Sequence, residues 1–518
     1  MLASAPRPAS SRFGMGDDAA PTPTPQAWPL DAPDYASLEA AVQGEAARWN
    51  VPGIGAAVLH EGEITATATG VRSIATRMPF TTNTISQIGS ISKVFTTTLV
   101  MTLVEEGKLD LDEPVTTYVP DLRLGDQHAR AALTLRHLLS HSGGFEGDRF
   151  LDYGRGDDAY ERSMREMDTL TQWFQPGELF SYCNVGFYLI PLIIQRVTGE
   201  VPEDLMRTRI FEPLGMETAT FYAEDAITRD HAVGHNLGDR LNGPAIARPF
   251  IIGGRHVNLC GNIIASPSEL LKFAQLHIGK GEYEGTRIIS AESAELMQTP
   301  QIDAGPPNRA FGQGWSMYTW PELKVIEHTG GTIGFRAYLS VAPDRTYAIA
   351  IVTNSDTGAS AMQAIEAWAM QHYLGATRPV PTPIAPAAAE LDALTGTFLR
   401  HDGRIVVTRD GEALRVTTTA IDERTGDESE GEAFRLLPVE PSDPARPLFR
   451  VPEGPMLGST VDFVSLPTRE APEVDRLLIR IGGRLAARQE VPAAPKTSGR
   501  TATRKPEAKR NPGRLRAN

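Results

Sequence analysis

The sequence predicts a mixed α/β (α+β) protein, with an antiparallel sheet flanked by helices and then a small antiparallel β-barrel-like unit. At 518 residues the chain is too long for one ordinary domain. Strand-like runs at both ends of residues 35–375 flank a helical middle, so the terminal strands can pair in one sheet. After a Pro/Ala-rich stretch at 376–388, short strand-like runs recur with turn residues between them.

Periodicity predicts the elements of the first part of the chain. Residues 35–49 have the apolar spacing of a helix, and two strand-like runs then meet at 60–63, which indicates a hairpin. Further helices are expected at 93–106, 135–140, 187–198, 266–278 and 361–373. Further strands are expected at 324–327, 335–342 and 347–353.

Composition divides the chain into five segments. Residues 1–34 are rich in Pro, Ala and Ser, which predicts a disordered leader, and the basic residues 491–518 predict a disordered tail. Between them we expect a first domain over 35–375, a Pro/Ala linker over 376–388 and a β domain over 389–490.

Charge and composition limit the classes of partner and compartment. The formal net charge of −14 disfavours nucleic acid as a partner. Two cysteines cannot build a disulfide framework, and no metal-ligand spacing occurs. The chain start lacks the apolar run of a secretory signal, and the apolar stretch 94–104 is too short to span a bilayer. We therefore expect a cytoplasmic protein without metal, cofactor or membrane partner; its oligomeric state stays open.

The first candidate motif is Ser90-x-x-Lys93 at the start of a predicted helix. Residues three apart share a helix face, so the hydroxyl and the amine can meet. A serine hydroxyl needs a base to become a nucleophile, and partial burial of a lysine can lower its pKa enough to help. The helix N-terminus also offers backbone amides to an oxyanion. Taken alone, the spacing is weak evidence, because an ordinary surface helix can carry the same pair.

The second and third candidates follow later in the chain. In Ser181-Tyr182-Cys183-Asn184, side chains two apart point the same way in an extended segment, so Tyr182 could act as a base near Lys93. Asn184 could donate to a substrate carbonyl or hold Lys93. In the run His328-Thr329-Gly330-Gly331, two glycines in a strand indicate close approach of another group. Each piece alone is also compatible with a structural role.

Together, Ser90-x-x-Lys93, Tyr182-x-Asn184 and His328-Thr329-Gly330 resemble the three ordered motifs of the serine β-lactamase and penicillin-binding-protein superfamily. The similarity is strongest to the branch of class C β-lactamases, D-aminopeptidases, DD-carboxypeptidases and related esterases. It covers about residues 35–375, including stretches at 134–145, 210–221, 311–315 and 348–355. The C-terminal module resembles the lipocalin-like β domain that some members append.

The resemblance implies a β-lactamase/transpeptidase-like fold with a helical lobe, and roles for the motif residues. Ser90 would attack a carbonyl, Lys93 and Tyr182 would manage its proton, and the amides of Ser90 and Gly331 would form the oxyanion hole. The substrate-binding residues would be Asn184, His328, Thr329 and Gly330.

Two departures from the family pattern affect the expected activity. His328 stands where class C β-lactamases carry a lysine, and a mostly neutral histidine is a poor partner for a substrate carboxylate. Cys183, between the tyrosine and the asparagine, is expected to pack away from Ser90. We expect Arg480, Arg484 and Arg488 to be solvated or paired with local acids, although one of them could reach a substrate carboxylate.

The residues and the resemblance together predict a serine hydrolase acting on a small-molecule or peptide acyl substrate. D-aminopeptidase-like or esterase activity fits best. Alternatives are an acyltransferase or peptide cyclase that uses the same acyl-enzyme, a β-lactamase or DD-carboxypeptidase, and a non-catalytic binding protein that kept the fold.

Overall fold

The structure is a computed structural model that describes residues 34–489, apart from 237–243, 252, 321–322, 424, 441–442, 444, 455 and 468–474. The expected basic tail and, except for Asp34, the expected leader lie outside the described residues. No helix in the described part of the chain is long and apolar enough to cross a membrane. The cytoplasmic location stays a prediction.

An eight-stranded antiparallel sheet organises the first part of the chain. Strands from its two ends pair, with Ile54 opposite Thr353 and His60 opposite Tyr347, which confirms the predicted closure of the sheet. The hairpin expected at 60–63 is present. In spatial order the strands are Glu63–Gly70, Gly53–His60, Tyr347–Thr353, Phe335–Ala342, Leu323–Thr332, Ser316–Trp320, Arg309–Phe311 and Ile302–Asp303.

Helices cover both faces of this sheet, because its central strands are apolar on both sides. Every residue of Tyr347–Thr353 is buried. The terminal helices Leu38–Arg48 and Gly358–Leu374 pack on one face, and the helical middle of the chain packs on the other. The longer helices of that middle part are Ser92–Glu105, Asn184–Thr198 and Pro267–Ile278, joined by shorter ones at Val115–Tyr118, Gln127–Ala132, Leu135–Leu139, Ala159–Arg165, Pro202–Met206, Ala223–Ala226, Asn258–Gly261 and Ala291–Met297.

Local sequence signals explain where several helices begin. Ser266 caps the helix Pro267–Ile278 by accepting from the amide of Glu269, whose carboxylate accepts from the Ser266 amide in return. Proline at the first helical position fits there because its missing N–H would be unpaired anyway. These signals place the helix within one residue of its predicted start.

The second part of the chain forms a closed antiparallel barrel, as predicted. Strand Gly403–Asp410 pairs with both Gly396–Arg400 and Ala413–Ile421, and the second pairing closes the barrel. Phe398, Phe449 and Phe463 pack together inside it. The other barrel strands are Phe434–Pro438, Leu448–Arg450, Thr460–Pro467, Asp475–Ile481 and Arg484–Arg488, with Glu428–Glu430 paired at one side.

The stretch expected to be a Pro/Ala linker is tied to the first domain. Arg378 forms ion pairs with Glu327 at 3.2 Å and Glu366 at 3.7 Å on the back of the sheet. Burial, offset in part by Arg378, raises the pKa of Glu366. Two acidic groups in one buried place require a cation, because an unpaired buried charge is costly.

Replacing Arg378 tests this anchor. We expect Arg378→Met to lower the free energy of unfolding by about 1–3 kcal/mol, less than for a fully buried pair because solvent screens a side chain that is 35% exposed. Urea unfolding measures the loss. Arg404→Met is the control, since Arg404 pairs with the exposed Glu428. An equal effect in the two variants would contradict the anchoring role.

Candidate active site

Ser90 and Lys93 meet where a tight turn enters the helix Ser92–Glu105. Ser90 lies in the 3₁₀ turn Gly89–Ile91, and the Lys93 ammonium donates to its Oγ at 3.1 Å. The same ammonium donates to the backbone oxygen of Cys260 at 3.0 Å. Lys93 is fully buried, whereas Ser90 is partly exposed. A substrate can therefore approach the hydroxyl while the lysine stays shielded from water.

The charge state of Lys93 differs from the expectation. Burial lowers the pKa of Lys93, but interactions with Cys260 and Tyr182 raise it, and the net shift is upward. The predicted lowering of the lysine pKa is therefore wrong. The reason is that desolvation competes with neighbouring acidic groups that the linear sequence does not show. Lys93 is a buried cation in this site.

Tyr182 lies beside this cation. The Lys93 nitrogen is 5.1 Å from the centre of the Tyr182 ring, and the Arg484 guanidinium carbon is 4.8 Å from it on the barrel side. The phenol interacts with the Lys93 charge, yet its buried hydroxyl completes no well-aligned hydrogen bond to another described residue. A phenol oxygen without a fixed partner, on a ring close to two cations, is suited to exchanging a proton with Ser90.

The side chain of Asn184 has partners other than Lys93, one of its two predicted contacts. Its side-chain amide donates to Asp148 Oδ1 at 2.5 Å, and its oxygen accepts from the thiol of Cys260 at 3.4 Å. Among the described residues it makes no hydrogen bond to Lys93. Its predicted contact with the substrate stays a prediction.

Cys183 precedes the helix that begins at Asn184. It is buried, and its sulfur accepts from the amide of Gly186 at 3.2 Å. This sulfur caps the helix start, consistent with the packing role expected for Cys183.

The third motif runs along the strand Leu323–Thr332, which is longer than the predicted 324–327. The two glycines continue the ladder, with Gly330 opposite Ala337 and Gly331 opposite Arg336. A Cβ on Gly330 would lie 1.8 Å from the Ile88 carbonyl oxygen. The close approach predicted from the glycines is present at Gly330, where the chain just before Ser90 makes it.

The amide of Gly331 lies beside the turn that carries Ser90. A Cβ on Gly89 would be 2.5 Å from the Gly331 nitrogen, so this amide is next to the nucleophile turn. Along the strand, Thr329 and Gly331 are exposed while His328 and Gly330 are buried. The exposed side therefore presents Thr329 and Gly331 to solvent or substrate, and the contribution of the Ser90 and Gly331 amides to catalysis stays a prediction.

His328 is a neutral, buried ring. Burial and the nearby Lys93 charge lower the pKa of His328 to about 3. One ring nitrogen pairs with the Thr329 oxygen at 2.7 Å, and the ring centre is 6.2 Å from that of Tyr182. Its environment agrees with the expectation that position 328 carries no fixed positive charge.

His141 belongs to the site but was not predicted as a site residue. Its ring packs at a tilt against Tyr182 with the centres 4.1 Å apart, and its Nδ1 accepts from the Cys183 amide at 3.0 Å. Burial and the Lys93 charge hold the pKa of His141 well below its usual range. Its backbone has a positive φ of 56°, an uncommon conformation for histidine. The stretch 134–145 suggested the family, but nothing in it marks this ring as a support for Tyr182.

The three arginines considered near the chain end have different surroundings. Arg484 pairs with Asp148 of the first domain, so the expectation of solvent or a local acid is wrong for this residue. Arg480 is buried 3.5 Å from Asp462 of its own barrel. Arg488 donates to the backbone oxygen of Ala393 at 2.8 Å.

The arrangement agrees with comparisons to known proteins. Residues 38–372 match the Beta-lactamase family, and the chain belongs to that family. It is 31% identical over 362 residues to penicillin-binding protein 4 of Amycolatopsis lactamdurans, covering 68% of this chain and 94% of that protein. It is 35% identical over 375 residues to a D-aminopeptidase of Gluconobacter oxydans, covering 71% of this chain and 66% of that protein.

Solved structures confirm the predicted fold. SurE with D-Leu superposes with a TM-score of 0.66 at 24% identity and covers 87% of this chain and 98% of its own. The octameric penicillin-binding protein homologue from Pyrococcus abyssi superposes with a TM-score of 0.58 at 24% identity and covers 87% of this chain and 99% of its own. A class C β-lactamase from Rhodobacter sphaeroides superposes with a TM-score of 0.54 at 22% identity and covers 65% of this chain and 99% of its own. At these identities the likeness concerns the fold alone.

A pair of glycine variants tests the close approach of the third motif to the nucleophile turn. We expect Gly330→Ala to cost about 1–3 kcal/mol of folding free energy, because its Cβ would collide with the Ile88 backbone. Gly331→Ala is the matched control for stability, since the nearest atom to its Cβ is 3.5 Å away. Thermal unfolding measures both. Equal melting temperatures would contradict this packing.

A second prediction concerns acid stability. The pKa of His328 is about 3 when folded and about 6.5 in an unfolded chain. Between these values only the unfolded chain binds the proton, so stability falls as the pH drops from 6.5, by up to about 1.4 kcal/mol per pH unit. We expect His328→Gln to flatten the dependence of unfolding free energy on pH between 6.5 and 4.5.

Urea unfolding at several pH values gives this slope for the wild type and the variant. The exposed His128→Gln variant is the control for the loss of one histidine. A slope that stays the same in His328→Gln would show that burial of this ring does not contribute.

Proposed function

We propose that the chain is a serine hydrolase that forms an acyl-enzyme on Ser90. The observation that carries the proposal is the 3.1 Å contact between a partly exposed hydroxyl and a fully buried ammonium, with Tyr182 beside them. A surface Ser–Lys pair would leave the lysine in water. Burying its charge is costly and is compensated here by acceptors and by the Tyr182 ring.

The net rise in the pKa of Lys93 favours Tyr182 as the group that takes the proton. As Ser90 Oγ attacks the acyl carbon, its proton passes to the oxygen of Tyr182 in its phenolate form, and the carbonyl electrons move to the oxygen facing the Ser90 and Gly331 amides. The bond to the leaving group then breaks, and the leaving group takes the proton from Tyr182. Water repeats these steps and releases the acid. Lys93 and Arg484 stabilise negative charge at Tyr182.

The neutral surroundings of His328 support a substrate class. A group with a pKa of about 3 provides no positive charge for a substrate carboxylate at neutral pH. Amides, peptides or esters recognised through other groups fit this site better. One relative supports the same choice, because it is named a D-aminopeptidase. We propose D-aminopeptidase-like or esterase activity on a small-molecule or peptide substrate.

The substrate panel described below also tests activity on other acyl substrates. Because penicillin-binding protein 4 is a relative, β-lactamase and DD-carboxypeptidase activity are alternatives to the proposed activity. The barrel covers one side of Tyr182, and a site that limits water would favour acyl transfer to an amine over hydrolysis.

Covalent labelling tests the acyl-enzyme. We expect a fluorophosphonate probe to modify wild-type protein at Ser90, Ser90→Ala to show no adduct, and Lys93→Ala to react far more slowly because the ammonium no longer supports the site. Mass spectrometry of the intact protein and its peptides locates the adduct. An equal adduct on Ser90→Ala, or none on the wild type, would reject the proposal.

A substrate panel then resolves the class. It compares p-nitrophenyl esters, D- and L-aminoacyl anilides and nitrocefin, each with the Ser90→Ala variant as the background. Preference for D-aminoacyl anilides or esters supports the proposed activity, and turnover of nitrocefin alone would replace it. Added amine that diverts the acyl group from acid to amide would support transfer.

A further inference from the structure

The barrel hairpin, formed by Asp475–Ile481, the turn Gly482–Gly483 and Arg484–Arg488, lies against the second motif. The Tyr182 amide donates to the Gly483 oxygen at 2.8 Å. The Leu485 amide donates to the hydroxyl of Ser181 at 3.2 Å. The segment that carries Tyr182 therefore has backbone partners in the other domain.

Strand periodicity explains how the hairpin contacts both cores. Leu477 and Ile479 point into the barrel, so Leu478 between them points outward. Leu478 and Leu485 share an apolar cluster with Phe174 of the first domain. This packing places the turn beside Tyr182, and Gly483 approaches closely enough that a Cβ there would contact the Tyr182 side chain at 3.6 Å.

A chain of polar contacts continues from the hairpin to the second motif. The Arg484 guanidinium forms hydrogen bonds to both carboxylate oxygens of Asp148. Asp148 in turn accepts from the Asn184 amide. The third guanidinium nitrogen of Arg484 donates to the Gly482 oxygen. Three of the five N–H groups of the guanidinium are thus engaged within the protein.

The charge on Asp148 depends on this arginine. Burial raises the pKa of Asp148, but Arg484, with Arg400 and the Asn184 amide, outweighs burial and lowers it. Without Arg484, a carboxylate that is 8% exposed would lose its main partner. It would then bind a proton or rearrange, and either change would weaken the hydrogen bond that it accepts from the Asn184 amide.

We propose that Asp148 and Arg484 are positioning residues that make the barrel a structural part of the active site. Their ion pair holds Asn184 in place and fixes the Tyr182 segment relative to Ser90. The inference rests on the proposed function, because its readout is acylation of Ser90. A misplacement of about 1 Å in such a segment can reduce a rate about 100-fold.

Kinetics on an uncharged p-nitrophenyl ester test the proposal. We expect Arg484→Met and Asp148→Asn each to reduce kcat at least about tenfold with little change in KM, and to slow fluorophosphonate labelling of Ser90 equally. Arg484→Lys should recover part of the rate, because it keeps the charge but loses the two-pronged geometry. The double variant should be no slower than the slower single variant, because the two residues act as a unit.

Arg488→Met is the matched control, since Arg488 lies on the same strand, is exposed and contacts only the Ala393 backbone oxygen among the hydrogen bonds of the described chain. Its kinetics should equal those of the wild type. Circular dichroism and thermal unfolding establish that each variant is folded. If Arg484→Met does not fold, the kinetics of Arg484→Lys and Asp148→Asn test the proposal instead. A lower kcat in either of these folded variants then supports it.

Two results would overturn the inference. Unchanged ester kinetics in folded Arg484→Met and Asp148→Asn would show that the pair does not position the site. A rise in KM confined to substrates that bear a carboxylate would assign Arg484 to substrate binding instead. Failure of the wild type to label would reject the proposed function itself, which is a different result.

Discussion

The buried charge of Lys93 is the constraint on which the site depends. An ammonium without water must find acceptors, and here the hydroxyl of Ser90 and the backbone oxygen of Cys260 supply them. The rings of Tyr182 and Phe187 lie 5.1 and 5.4 Å from the same nitrogen. Each group that stabilises this charge is thereby held near Ser90. The contacts that make the buried ammonium tolerable in the folded protein therefore also bring the candidate catalytic groups together.

The backbone around Lys93 is packed as closely as the side chains. The strand that carries His328 approaches the turn before Ser90 so tightly that only glycine fits at position 330. This contact joins the sheet to the helix that carries Lys93. It also brings the Gly331 amide next to the turn that carries Ser90, where the predicted oxyanion hole would need a donor.

The barrel also contributes to the surroundings of Tyr182, because it is hydrogen-bonded to the first domain and is not joined to it by the linker alone. Its hairpin donates one hydrogen bond to the segment that ends in Tyr182 and accepts another from it. The apolar side chains inside the barrel pack against each other, so the outer face of the hairpin makes the contacts with the first domain. On the opposite side of the sheet, Arg378 holds the connecting segment to two buried acids. The barrel therefore meets the first domain at the candidate active site, and the connecting segment is held to the sheet behind that site.

The sequence by itself determined the fold class, most helix and strand positions and the three motifs, because periodicity, caps and the spacing of Ser90 and Lys93 are local properties. Only the tertiary structure decided the upward shift in the pKa of Lys93 and the orientation of Asn184, since both depend on neighbouring charges and burial. The pairing of Arg484 with Asp148 joins residues 336 positions apart. No local pattern encodes which buried acid an arginine will meet, so this contact follows from the packing of one domain on the other.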